Sequence, residues 1–262
     1  MKKLLATLLA ALALVLPDAV RADTTFEFQD NDSGFTSPGN ALGPWDTRTL
    51  AIRHDGTRDS PGLTLINRID FDQAAPQHSN GLVLDDYHNW TPRFFSYVSL
   101  SAAAGQILPN RGAYLEGNYK FGPLVVGAGA STSVNTNQTV LNQLSFGPTY
   151  YWPKFNVTFR YEPGWLNPGG YIGTYLLSAG YGVDQRATTT LTLQAGAQPP
   201  FNNPLLAGTD QRSYAGTLLY KRWIGHFGIE AGANYAYVTR PSDGSLIYIQ
   251  RGVIVGTFAT LK

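Results

Sequence analysis

Within the stretch YLEGNYKF, residues 114–121, Glu116, Asn118 and Lys120 occupy every second position, and Leu115, Gly117, Tyr119 and Phe121 fill the places between them. A period of two belongs to an extended strand, whose side chains alternate between its faces. The same register recurs along the chain. Asn156, Thr158, Arg160 and Glu162 alternate with Phe155, Val157, Phe159 and Tyr161, and Glu230 and Asn234 alternate with Ile229, Ala231 and Tyr235. Arg68 and Asp70 share one face of another such run. After Ala22 no helical period is sustained over three turns, so the chain is expected to fold as an all-β protein.

Which face of these strands meets a core depends on the compartment. The chain opens with Lys2 and Lys3, continues through an apolar run from Leu4 to Leu16, and reaches Val20-Arg21-Ala22. A basic head, a short apolar stretch and a small-x-small exit describe a cleaved signal peptide. The run falls short of the roughly 18 apolar residues that a spanning helix needs. Residues 1–22 are therefore expected to be the signal, and 23–262 one domain. The chain has no cysteine, so disulfide staples are excluded. A net charge of +1 gives no basic surface for a nucleic acid. With 28 Gly, 15 Tyr, 13 Phe and only 14% charged residues, the composition favours strands with aromatic ends over helices.

The connectors carry separate information. About fourteen strands (12–14) can be counted, separated by alternately short and long connections. HNWTPR, FGP, WPK, GVDQ and WIGH are short, whereas DNDSGFTSPGNALGP (30–44), DQAAPQHS, GQILPNRG, QPPFNNPLLAGTDQR (198–212) and RPSDG alternate with them. Tight turns on one side and long loops on the other are the mark of a closed antiparallel outer-membrane β-barrel, with its turns in the periplasm and its loops outside. A sandwich has no reason to sort its loops in this way. In lipid the sheet must close, because an open edge would leave backbone groups unpaired in hydrocarbon.

A barrel in lipid gives the alternation its meaning. An Arg or Lys facing lipid at mid-depth costs roughly 2–4 kcal/mol, so the charged positions of a strand mark its lumen face. On this rule Arg68, Asp70, Glu116, Asn118, Lys120, Arg160, Glu162 and Glu230 form a lumen-facing polar network, joined by Glu27, Arg53 and Lys221. Trp90, Phe94, Phe121, Tyr151, Trp152, Phe155, Trp223 and Phe227 flank the short turns, and Trp45, Trp165, Tyr171 and Tyr237 flank the long loops. Together they suggest two interfacial girdles.

On the stretches YLEGNYKFGPLVVGAGAS, SFGPTYYWPKFNVTFRYEP, GTYLLSAGYG and YKRWIGHFGIEAGANY, the sequence resembles the YaiO family of outer-membrane β-barrel proteins. The hairpin ending in Arg160-Tyr161-Glu162-Pro163 is the most specific part, and the likeness spans roughly residues 24–262. The resemblance implies a location and a fold rather than a reaction. Outer-membrane strands usually close the chain on an aromatic residue, whereas Phe258 is followed here by Ala-Thr-Leu-Lys.

No catalytic constellation emerges. His54, His78, His88 and His226 fall in or beside predicted turns, and the adjacent pair His78-Ser79 points to opposite faces of an extended segment. Asp85-Asp86 and Asp70/Asp72 lack the spacing of a calcium loop. No cofactor, metal or catalytic residue is assigned. The expected partners are outer-membrane lipid, the barrel-assembly machinery and a polysaccharide solute. The leading expectation is a narrow pore or export conduit for a polar solute or glycan. A lipid- or polysaccharide-acting enzyme and a surface-loop adhesion scaffold are the rivals.

Overall fold

The computed structural model describes residues 23–38, 43–71, 76–136, 138–183, 187–196 and 211–261. The expected signal peptide, Asp72 and most of the 198–212 loop lie outside the described residues. The strands are β1 (Asp23–Thr36), β2 (Trp45–Asp55), β3 (Asp59–Asp70), β4 (Gln77–Asn89), β5 (Phe94–Gly105), β6 (Arg111–Phe121) and β7 (Leu124–Val134). They continue as β8 (Val140–Trp152), β9 (Phe155–Asn167), β10 (Gly170–Val183), β11 (Ala187–Gly196), β12 (Arg212–Ile224), β13 (Phe227–Thr239) and β14 (Leu246–Leu261).

Each strand pairs antiparallel with its sequence neighbours, and β1 pairs with β14 from Thr24 opposite Leu261 to Thr36 opposite Ile249. The sheet is thus a closed barrel of fourteen strands. Among the described residues no helix is long and apolar enough to cross a membrane. Among the described residues every strand is paired on both sides, as a hydrocarbon environment demands.

The connectors sort by end, as their lengths foretell. One end carries 56–58, 90–93, 122–123, 153–154, 184–186 and 225–226, and the other carries 37–44, 71–76, 106–110, 135–139, 197–211 and 240–245. Asn167 and Gly170 are the exception, joined by a tight connection on the long-loop side. The first long loop is shorter than its composition suggests, because residues 30–36 continue β1. At the short-turn end, Gly122 and Gly225 take the first central place of two-residue hairpins with φ of 64° and 68°. That left-handed conformation matches the twist of the flanking strands and is open mainly to glycine.

Paired residues can be followed from Asp23 around the barrel, through Tyr87, Glu116, Ser145, Thr174, Ser213 and Tyr248. The path returns to β1 beside Ser37, fourteen residues above its start. One residue of climb per strand corresponds to a tilt of about 35° and a backbone diameter of roughly 25 Å.

The outside is greasy. Leu115, Phe121, Ile229, Val253 and Phe227 are among the exposed side chains, at 58%, 58%, 50%, 59% and 70% of their full surface. In hydrocarbon each such side chain gains about 1.5–3 kcal/mol relative to water. Tyr150, Trp152 and Phe155 stack in sequence at 4.3 and 5.3 Å near the short turns, and Trp165 meets Tyr171 at 5.9 Å near the long loops.

Two of the tryptophans expected in the girdles turn inward instead. Trp45 is buried beneath the Arg68 guanidinium, 4.0 Å from the ring centroid. Trp223 packs edge-on against the buried Phe258, with centroids 4.7 Å apart. Position near a strand end therefore does not settle which way an aromatic points; the alternation does.

The charge rule also has an exception. Asp30, Asp32, Asp46 and Arg48 share the outer face with Phe28, Leu50, Val253 and Val255. Arg48 offsets the local charge through Asp46 at 2.6 Å and Asp30 at 3.6 Å.

Candidate pore lumen

Residues that alternate away from the greasy face converge on the barrel interior. Allowing for the one-residue climb per strand, Glu27, Arg53, Asp85, Glu116, Arg160, Lys221 and Glu230 fall in one narrow band nearer the short turns. They interact around the wall in three groups.

On β6 and β9, Arg160 donates from Nη2 to Glu116 Oε1 at 2.9 Å and from Nη1 to the Gly147 carbonyl at 3.4 Å. Tyr114 donates its hydroxyl to Glu116 Oε2. Near the barrel seam, Lys221 of β12 sits 2.6 Å from Glu27 Oε2 and 3.1 Å from Glu230 Oε2. Gln29 donates to Glu230 Oε1 at 3.0 Å. On β2 and β4, Arg53 pairs with Asp85, donates to the Ser60 carbonyl at 3.2 Å and stands 5.5 Å over the Tyr87 ring.

All three pairs reach across intervening strands, and in each case glycine supplies the passage. A Cβ at Gly127 would lie 2.5 Å from both Arg160 Nη1 and Asn118 Oδ1. One at Gly62 would lie 2.6 Å from Asp85 and 2.9 Å from Arg53, and one at Gly256 would strike Glu230. These three inward positions are bare, so long side chains lie flat along the wall there instead of projecting into the bore. Gly127→Val should therefore displace Arg160 from Glu116. A loss of about 2–3 kcal/mol is expected from overpacking and the broken pair together. Urea unfolding in micelles against wild type and Gly117→Val, whose site faces lipid, is the check.

The eight sequence-assigned positions sort as follows. Glu116, Asn118 and Arg160 form one cluster, with Asn118 only 4% exposed. Glu230 belongs to the seam cluster, seven strands or half the sheet away from Glu116. Glu162 stands above Arg160 and accepts from Gln143 at 3.5 Å. Lys120 lies at the short-turn mouth with its ammonium 5.1 Å over the Phe95 ring. Arg68 and Asp70 are both buried at the opposite, long-loop end, beside Trp45. The eight therefore do not form one network.

Two further features line the bore. Tyr87, Tyr97 and Tyr114 form a row on β4, β5 and β6, with centroids 4.5 and 5.8 Å apart. Tyr87 is inward yet 41% exposed, so the bore is open to water at this level. Opposite, β11 presents Thr188, Thr190 and Thr192 inward, with Ser178 meeting Thr192 at 3.2 Å and Thr217 paired beside it. At the long-loop end the lining is dry. Phe35 contacts Trp45 at 4.2 Å and Tyr248 at 5.6 Å, and Tyr248, Val238 and Ile107 are fully buried. Ile107 belongs to the 106–110 connector, which turns into the mouth because Ser79 Oγ accepts from its backbone N–H at 2.8 Å.

Two of the four histidines have side-chain partners on neighbouring strands. His54 meets Thr24 at 3.0 Å, and His88 pairs with Asp59 and stacks on Trp90 at 4.3 Å. Three of the four stand within strands rather than in turns: His54 in β2, and His78 and His88 in β4. Ser79 holds the 106–110 connector, and Asp85 holds Arg53, so each has a packing role.

A family model described as the YaiO membrane beta barrel domain matches residues 32–201. Among solved structures, the CymD monoaromatic hydrocarbon channel aligns with a TM-score of 0.60 at 11% identity, covering 92% of this chain and 89% of that one. A bacterial polysaccharide outer membrane secretin aligns at 0.51 with 10% identity, covering 91% and 98%. The anion-selective porin from Comamonas acidovorans aligns at 0.50 with 12% identity, covering 92% and 99%. At these identities the likeness is one of fold. No curated protein matches the chain.

Proposed function

Because the chain belongs to the YaiO family of membrane β-barrels, we propose that it acts as a narrow outer-membrane conduit for a polar solute, a glycan in particular, without chemistry of its own. In this reading a signal peptide directs export, the barrel-assembly machinery inserts the barrel into outer-membrane lipid, the short turns face the periplasm and the long loops face outward. The single observation that supports it best is the wall-hugging charge band. Glycines let the three lumen ion pairs that cross intervening strands lie along the sheet, so the bore beside them stays open enough for Tyr87 to remain accessible.

The lining suits a sugar. Aromatic rings stack on the apolar faces of a pyranose, as the Tyr87, Tyr97 and Tyr114 row can do, while Thr and Ser hydroxyls exchange hydrogen bonds with its own. Neutralised charges hold a polar solute weakly enough to let it go, which conduction requires.

Recording currents from the purified, refolded protein in planar bilayers tests the reading. Small discrete steps are expected, partly blocked by a neutral malto-oligosaccharide, with weaker block in Tyr87→Ala. Silence in wild type, Arg160→Ala and Glu116→Ala alike would remove the pore.

A further inference from the structure

The outer wall formed by β14, β1 and β2 carries a charged patch, and two of its members, Asp30 and Arg48, stand at a height where the rest of the barrel carries hydrocarbon. Asp30 stands near the middle of β1, well below its loop end at Thr36, and Asp32, Asp46, Arg48 and Arg251 lie just above it. Around the barrel at the same height the outward residues include Leu82, Leu100, Leu144 and Leu193, all exposed. The aromatic residues Trp165, Tyr171 and Tyr237 mark the lipid boundary nearer the strand ends. Asp30 and Arg48 therefore sit inside the apolar band, with Asp32, Asp46 and Arg251 at its upper edge, and leaving the lower pair against acyl chains is costly.

We propose that this face is the contact between two copies of the chain, related by a two-fold axis along the membrane normal that passes through β1 near Asp32 and Gly34. Arg251 lies beside Gly34 on one flank of β1, and Asp46 lies beside Asp32 on the other. The one-residue climb per strand brings Arg251 and Asp46 level. A two-fold through β1 then sets Arg251 of each copy opposite Asp46 of the other, on either side of the two Asp32 carboxylates that meet near the axis. The interface is thus self-complementary in charge, as an isologous contact must be.

Gly34 has no side chain on the axis, and the space over it is open, with only the Arg251 carbonyl within 4.0 Å of a Cβ. The walls can approach closely there. Below, Phe28, Val253 and Val255 extend the contact with exposed apolar surface. An anionic lipid headgroup fits less well, because it would meet three carboxylates against two guanidinium groups.

The chain lacks cysteine, so Gly34→Cys introduces a unique thiol. Oxidative cross-linking in native outer membranes is expected to trap a dimer through Cys at 34. Leu144→Cys, on β8 at the far wall, should trap none. In detergent, light scattering should give twice the chain mass, and Arg251→Asp should weaken association at least about tenfold through like-charge contact. Asp32→Arg should do the same, and the Arg251→Asp/Asp32→Arg pair should restore it. Heat-modifiable mobility on gels confirms that each variant folds, and Asp32→Asn serves if a reversal does not. A monomer at all concentrations, with cross-linking at 34 no better than at 144, overturns the proposal. So does a monomer whose bound organic phosphate is lost in Arg251→Asp, which would give the face to lipid headgroups.

Discussion

Truncating either partner of the Arg160–Glu116 pair should cost more than truncating both. Arg160 and Glu116 retain only 14% and 11% side-chain exposure. Removing one leaves the other uncompensated among Tyr114, Asn118 and the glycines. A destabilisation of about 3 kcal/mol is expected for each single alanine variant, the low end for a broken buried pair because the bore holds water. The double variant should lose less than either single one, and its shortfall from their sum measures the coupling. The same variants should move ion selectivity in opposite directions. Arg160→Ala exposes Glu116 and should shift the reversal potential in a salt gradient toward cations. Glu116→Ala exposes Arg160 and should shift it toward anions. Equal stability losses with unchanged selectivity would mean that the pair braces the wall away from the ion path.

The second large effect is expected at the long-loop mouth. Tyr248 is fully buried and edge-on to Phe35, which in turn packs on Trp45. Tyr248→Ala removes one side of that cluster, and a loss of about 3–5 kcal/mol follows from truncating a buried aromatic. If this cluster is what narrows the bore, single-channel conductance should rise severalfold in the surviving folded fraction. Ile107→Ala, a milder truncation on the inturned connector, should raise it less. Unchanged conductance in both would place the constriction at the charge band.

Much of the architecture was legible before the fold was known, for a physical reason. The alternation around Glu116 and Arg160 and the sorting of connectors are local signals, imposed by a strand period of two and by loops that differ between the membrane's faces. What sequence reasoning missed was non-local. Nothing near Glu27 or Lys221 shows that the first strand lies against the last, so their meeting depends on closure. The glycine passages could have pointed to the partners. Gly127 and Gly129 fall in the polar phase of β7, where a barrel otherwise places a side chain, and a bare inward position implies that one from elsewhere lies over it.

Charge was a less faithful guide than period. Asp30, Asp32, Asp46 and Arg48 broke the rule that charge points inward, and Arg48 pairs on the outer face with only two of the three carboxylates. Trp45 and Trp223 broke the girdle expectation because their phase, not their nearness to a loop, set their direction.

The seam between β1 and β14 bears on how such a wall comes into being. Every other ladder joins strands adjacent in sequence, across connectors of a few residues to the 197–211 loop. Those thirteen hairpins are low in contact order and can zip one after another at little entropic cost. The seam alone must bring together residues as far apart as Thr24 and Leu261. Until it does, two raw strand edges coexist, each able to template a foreign strand. The Lys221–Glu27 and Gln29–Glu230 contacts reach β1 from β12 and β13, so they form only when the circle completes. They contribute to the native state while leaving the early hairpins untouched, which makes them a brake on reopening rather than a spur to assembly.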